Sequence, residues 1–169
     1  MARERGFPAV REGIHWRATH EATHGAIDVG YATVSATSIP DFATTLLDGI
    51  SDRGRREVLA GAVRIRSEAG DRVLRKGEGS NGIGFVLSGT LEVRDGDRLL
   101  RILGAGDLFG ELAYVLGVPR TADVIAATPG TEILLVRLKM LEKLSRPSDR
   151  AQLWRNLARV LASRLASAH

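Results

Sequence analysis

The chain has no cysteine. Disulfide frameworks, thiolate metal sites and thiol nucleophiles are therefore excluded. It has no run of 18 apolar residues, so no membrane-spanning helix is expected. The N-terminus lacks a compact apolar core behind its charges and makes a poor secretory signal. Lysine is scarce beside arginine, a pattern better explained by coding bias than by nucleic-acid binding. No kinase or cyclase motif and no channel pore segment is present. The cytoplasm is the expected location.

What is there fits one domain with an appendage. The 169 residues are 44% hydrophobic, ordinary for a globular protein that buries a real core. The net charge of +4 is uneven: residues 146–169 hold five arginines and one acid, and the rest of the chain balances. A basic terminal helix can touch nucleic acid or anionic lipid, but a solvated helix face is the commoner origin of such a run.

Residues 1–40 carry no sustained period of 3.6 or 2 and read as a weakly ordered leader, with a local strand or helix between Ala26 and Ile39. The leader contains His20-Glu21-Ala22-Thr23-His24. On a helix, two histidines at this spacing share a face and can hold zinc, with Glu21 activating a bound water. Gly25 follows at once, no strong apolar helix surrounds the motif and the sequence places no further ligand, so a zinc hydrolase is only the third reading, behind adventitious divalent-metal binding by His15, His20 and His24.

From Asp41 to Ala62 the pattern is helical. Asp41 caps one short helix, Gly49 breaks it, and Ser51 caps a second over Asp52–Ala62. From Val63 to Leu138 short strands alternate with turn signals at mostly seven- to twelve-residue spacing, which argues for a sandwich or jelly roll rather than βαβ units. Asp95-Gly96 marks a two-residue hairpin. Ile83, Phe85 and Leu87 alternate toward one face; Ile133 and Leu135 take one face and Leu134 and Val136 the other. Lys139–Leu144 reads as a short helix, broken at Arg146-Pro147. Ser148 then caps a final helix from Asp149 to about Ser167, with an apolar stripe of Leu153, Leu157, Val160, Leu161 and Leu165 and Trp154 at its edge. Arg164 falls on the apolar side by angle. The fold class expected is α+β: a β-roll, or double-stranded jelly-roll-like barrel, flanked by N-terminal helices (41–62) and C-terminal helices (139–169).

The stretch from Gly106 to Val124 carries the chemistry. It reads as a turn, a short helix from Glu111 to Leu116, a second turn at Gly117 to Pro119, and a strand. A helix start leaves unpaired N–H groups and a positive partial charge, and Gly110 lets an anion approach the backbone. Arg120 offers a planar fork of donors suited to a phosphate. Glu111 can accept a hydrogen bond from a ribose hydroxyl. One phosphate and one ribose hydroxyl describe a small cyclic nucleotide; the plainer alternative is a surface Glu111–Arg120 ion pair beside a glycine turn.

Phe109-Gly110-Glu111-Leu112-Ala113 followed by Pro119-Arg120-Thr121-Ala122 resembles the phosphate-binding cassette of cyclic nucleotide-binding domains, the family of the catabolite activator protein, protein kinase A regulatory subunits and cyclic-nucleotide-gated channels. The resemblance covers about Asp41 to Leu165. It implies that Glu111 binds the ribose 2′-hydroxyl and Arg120 the cyclic phosphate, with backbone amides around Gly110, Leu112, Ala113, Thr121 and Ala122 completing the cradle. It implies cAMP or cGMP as ligand, with cAMP favoured, no metal and no catalysis. The final helix becomes a lid over the base, a dimer helix, or both. The expected partner is an unidentified protein or a second copy. With the chain ending at His169, no helix-turn-helix follows, so sequence-specific DNA binding is not expected, nor is membrane binding. The runner-up is an association module of the same fold with a relic pocket. Gly84 stands where the family usually has a large apolar residue, which predicts looser packing there.

Overall fold

The computed structural model describes residues 32–33 and 44–167 of the chain. Strand β1 (Ala32–Thr33) precedes helices α1 (Thr44–Leu47) and α2 (Asp52–Leu59), then β2 (Ala62–Ser67), β3 (Arg72–Leu74), β4 (Gly82–Ser88), β5 (Leu91–Asp95), β6 (Arg98–Leu103) and β7 (Leu108–Phe109). Helix α3 (Glu111–Leu116), β8 (Asp123–Ala126), β9 (Thr131–Arg137), α4 (Leu138–Glu142) and α5 (Pro147–Ser167) complete the order. The His20–His24 motif and the Asp41 cap lie outside the described residues.

The strands form two antiparallel sheets, ordered β1-β2-β9-β4-β7 and β3-β8-β5-β6. The expected roll with flanking helices is what the chain adopts. Strand β9 shows why its sequence reads as a continuous apolar run. Ile133 and Leu135 pack between the sheets with Val86, Leu91, Leu103 and Val124. Leu134 and Val136 face the helices, joining Ile83, Phe85, Leu46, Val58, Leu153 and Leu157. A strand covered on both faces needs apolar side chains at every position. Each fully buried leucine or isoleucine contributes about 1.5–3 kcal/mol over an exposed one.

Several boundaries move from the sequence expectation. Helix α2 stops at Leu59 rather than Ala62, because Ala62 opens β2 opposite Val136. The hairpin loop is Gly96-Asp97, one residue later than expected: Asp95 still pairs with Arg98, and Gly96 takes the positive φ of 58°. Helix α4 starts and stops earlier than Lys139–Leu144. Helix α5 starts at Pro147 instead of after a Ser148 cap; proline fits a first helical turn, where its missing N–H has no intrahelical partner to lose.

The Gly84 expectation is overturned. A Cβ on Gly84 would lie 2.1 Å from Cζ of Phe109, so the phenyl ring fills the space that the glycine leaves. Phe109 is fully buried, and packing there is tight.

Three polar contacts fasten the helices. Ser51 caps α2, its Oγ accepting from the Gly54 amide at 3.1 Å, while its own amide and hydroxyl donate to Asp149 of α5 at 3.0 and 2.6 Å. Asn156 Nδ2 donates to the carbonyls of Leu46 and Asp48 at 2.8 and 2.7 Å. Ser145 donates through amide and hydroxyl to Glu57. Helix α5 is thereby anchored through its first half to the elements that precede the roll.

Candidate functional site

Strand β7 runs into Gly110, whose φ of 79° lies in the left-handed region that favours glycine, and α3 starts at the next residue. A Cβ at Gly110 would sit 2.6 Å from Nη1 of Arg120 and 3.3 Å from Leu74. Both the backbone twist and the close approach of the guanidinium therefore exclude a side chain. Gly117, with φ 64°, ends α3 and returns its amide to the carbonyls of Ala113 and Tyr114. Arg120 is tied to the loop before β4 by its backbone: its amide donates to the Glu78 carbonyl and its carbonyl accepts from the Gly77 amide, both at 2.8 Å.

Glu111 and Arg120 are brought to the same place. Arg120 is 4% exposed and Glu111 is 5% exposed, so neither belongs to a surface ion pair. Arg120 donates through Nη1 to the Gly110 carbonyl at 2.7 Å and through Nη2 to the Gly82 carbonyl at 2.8 Å. Burial pushes its pKa down to about 10, against the pull of the nearby Glu111 and Glu78 carboxylates, and it stays cationic at neutral pH. A buried cation beside a glycine-lined helix start is chemistry that favours an anion.

The other sequence-predicted residues are placed differently. Phe109 points into the core between the sheets, against Gly84. Ala113 is buried under α3, Ala122 is half-buried, and Leu112 and Thr121 are exposed. Of these, Thr121 is the one whose side chain faces solvent beside the arginine.

Two features of α5 complete the site. Trp154 stacks on Tyr114 of α3 with ring centroids 5.4 Å apart, while the indole stays 48% exposed. Arg164 reaches back to the cassette: its Nη1 donates to Glu111 Oε1 and its Nη2 to the Leu108 carbonyl. The helical angle of Arg164 was legible in the sequence; its partner, 53 residues away, was not. A cavity of about 330 Å³ lies between α5 and the roll, lined in part by Phe85, Arg101, Leu108, Arg159 and Arg164. It adjoins the cassette through Leu108 and Arg164. Among the described residues, no group of three or more histidines, aspartates or glutamates is placed to hold a metal, and no helix is long and apolar enough to cross a membrane.

Comparison with known proteins agrees with this geometry. Residues 64–147 match the cyclic nucleotide-binding domain family. The chain is 29% identical over 106 residues to the cAMP-dependent protein kinase type II regulatory subunit of Drosophila melanogaster, covering 60% of this chain and 28% of that protein. Among solved structures, the Thermus thermophilus catabolite activator protein superposes with a TM-score of 0.61 at 27% identity, covering 73% of this chain and 59% of that one. A cyclic nucleotide-binding domain from Methylobacillus flagellatus gives a TM-score of 0.69 at 18% identity, over 83% of this chain and 85% of its own, a likeness of fold. The domain belongs to the cyclic nucleotide-binding domain family. The chain spans less than a third of the length of the first curated relatives it matches.

Proposed function

We propose that this chain is a regulatory module that senses a 3′,5′-cyclic nucleotide and passes its occupancy to a partner by moving α5. The observation that carries the reading is the buried pair Glu111 and Arg120 on either side of Gly110, where no side chain fits. Arg120 takes the cyclic phosphate, together with backbone amides of Gly110, Leu112, Ala113, Thr121 and Ala122. Glu111 takes the ribose 2′-hydroxyl. Phe109 supports the cradle from beneath. A phosphate near Arg120 would also return to it the counter-charge that burial removes.

The roll and its cassette, 63–138 with 107–124, form the binding unit; 41–62 and 139–169 are the moving parts, and 1–40 a leader. The partner is another protein or a second copy, the location cytoplasmic, and the module catalyses no reaction. cAMP is the preferred ligand over cGMP, with modest discrimination: Thr121 permits a contact to a guanine amino group, and a single hydroxyl contributes only about 0.5–1.5 kcal/mol. Displacement of an 8-substituted fluorescent cAMP by unlabelled cAMP and cGMP tests the reading. Displacement by cAMP at lower concentration is expected; no binding of the probe would leave the pocket without a ligand.

A second reading, an association module with a relic pocket, draws on the Arg164 contact that covers Glu111 and on the exposure of Trp154 and Leu165. It predicts self-association with no response to nucleotide.

A further inference from the structure

Helix α5 is fastened unevenly. Its first half holds Asp149 on Ser51, Leu153 and Leu157 in the core, and Asn156 on two carbonyls of the α1 region. Beyond Val160, Ala162, Ser163, Ala166 and Ser167 are exposed. Over these last turns Arg164 supplies a polar tether, and its target is the cassette itself. The guanidinium spans the Glu111 carboxylate and the Leu108 carbonyl, on the two flanks of Phe109-Gly110. A planar fork of donors suits such a two-point grip.

The grip has a cost for any ligand. In this ion pair the Glu111 side chain is 6% exposed and the Arg164 side chain 21% exposed, so the arginine is the outer member. A hydroxyl that is to donate to Oε1 of Glu111 competes with the guanidinium already bound there. We propose that Arg164 is an internal competitor for Glu111: it holds the carboxylate in the unliganded protein, and a cyclic nucleotide displaces it, freeing the last turns of α5. The proposal rests on the reading that Glu111 receives the ribose hydroxyl. It gives α5 a defined break point near Val160, because the contacts before that residue do not involve the cassette carboxylate.

The arithmetic follows from a two-state tether. Apparent affinity falls by the fraction of molecules in which the tether is open. For a partly buried, charge-assisted, two-point contact that is closed most of the time, removal should tighten nucleotide binding by roughly 3- to 30-fold, mainly through faster association. A lysine cannot span both acceptors and should give an intermediate gain.

The test uses the full chain as wild type, Arg164→Ala and Arg164→Lys, titrated with cAMP and cGMP, together with amide hydrogen exchange across residues 158–167. The expected result is tighter binding in Arg164→Ala, an intermediate value for Arg164→Lys, and exchange in unliganded Arg164→Ala as fast as in nucleotide-saturated wild type. If wild type binds nucleotide and Arg164→Ala binds it equally or more weakly, the competitor role is wrong and the ribose reading stands. If exchange across 158–167 in wild type does not change on saturation, the displacement is wrong. If no form binds either nucleotide, the reading beneath the proposal falls and the proposal with it.

Discussion

Arg120→Ala should separate the structural staple that Arg120 forms from the ligand contact proposed for it. Its guanidinium joins β4, through the Gly82 carbonyl, to the cassette, through the Gly110 carbonyl. Hydrogen bonds from a charged donor contribute about 1.5–3 kcal/mol each. Their loss is offset in part, because the variant no longer keeps a cation buried, the same burial that pulls the Arg120 pKa to about 10. A net loss of about 2–4 kcal/mol is expected, which for a domain of this size lowers Tm by roughly 6–20 °C. Loss of the phosphate contact should weaken cAMP binding by a further factor of tens to several hundred. Scanning calorimetry measures the first effect; titration well below the variant's Tm measures the second. Arg120→Lys keeps the charge but cannot bridge both carbonyls, so it should recover part of the binding and less of the stability. An unchanged Tm would refute the staple, and unchanged affinity in folded Arg120→Ala would remove Arg120 from the phosphate site.

Other outcomes follow from the same contacts. Glu111→Gln should weaken cAMP binding yet leave a 2′-deoxy cyclic analogue almost unaffected; equal wild-type affinity for the two ligands would dismiss the ribose role. Gly84→Ala should destabilise the domain by about 1–3 kcal/mol or more, as read by urea unfolding, since its Cβ would lie 2.1 Å from the Phe109 ring. Competition titrations on Thr121→Ala should leave cAMP affinity intact and reduce cGMP affinity by about two- to twelve-fold; a wild type that prefers cGMP and loses that preference in the variant would reverse the ligand assignment. Acid stability should depend on the α2–α5 junction. The Ser51 hydroxyl and then its amide hold the Asp149 carboxyl below its usual 3.8, and the Ser145 hydroxyl and amide with Arg53 hold Glu57 at about 2 against a usual 4.5. Both pKa values are depressed on folding, so this stability is full above about pH 5 and is lost as pH falls through the folded values. Asp149→Asn should flatten that acid limb in pH-dependent melts.

The sequence showed most clearly what local pattern dictates. Alternation grouped Ile83 with Phe85 on one face and split Ile133 and Leu135 from Leu134 and Val136, because a strand's two faces are fixed by a period of two; the folded chain shows the first pair on the helix side and Ile133 and Leu135 between the sheets. The Gly110–Arg120 stretch was legible since glycine, helix start and arginine fall within a dozen residues. What escaped was non-local. The ring that fills the space beside Gly84 comes from Phe109, on a strand that pairs with β4 only in the folded chain. The Ser51–Asp149 contact spans 98 residues and the Arg164–Glu111 contact 53. No spacing rule joins residues so far apart. The one-residue shift of the hairpin arises because Gly96, the residue that accepts positive φ, occupies the first loop position.

The central claim is that the cassette around Glu111 and Arg120 binds a cyclic nucleotide. Isothermal titration calorimetry of the full chain with cAMP and with cGMP tests it most directly. Saturable binding of one nucleotide per chain is predicted, tighter for cAMP and lost in Arg120→Ala. Absence of saturable heat with both nucleotides, at protein concentrations that would reveal millimolar binding, would contradict it.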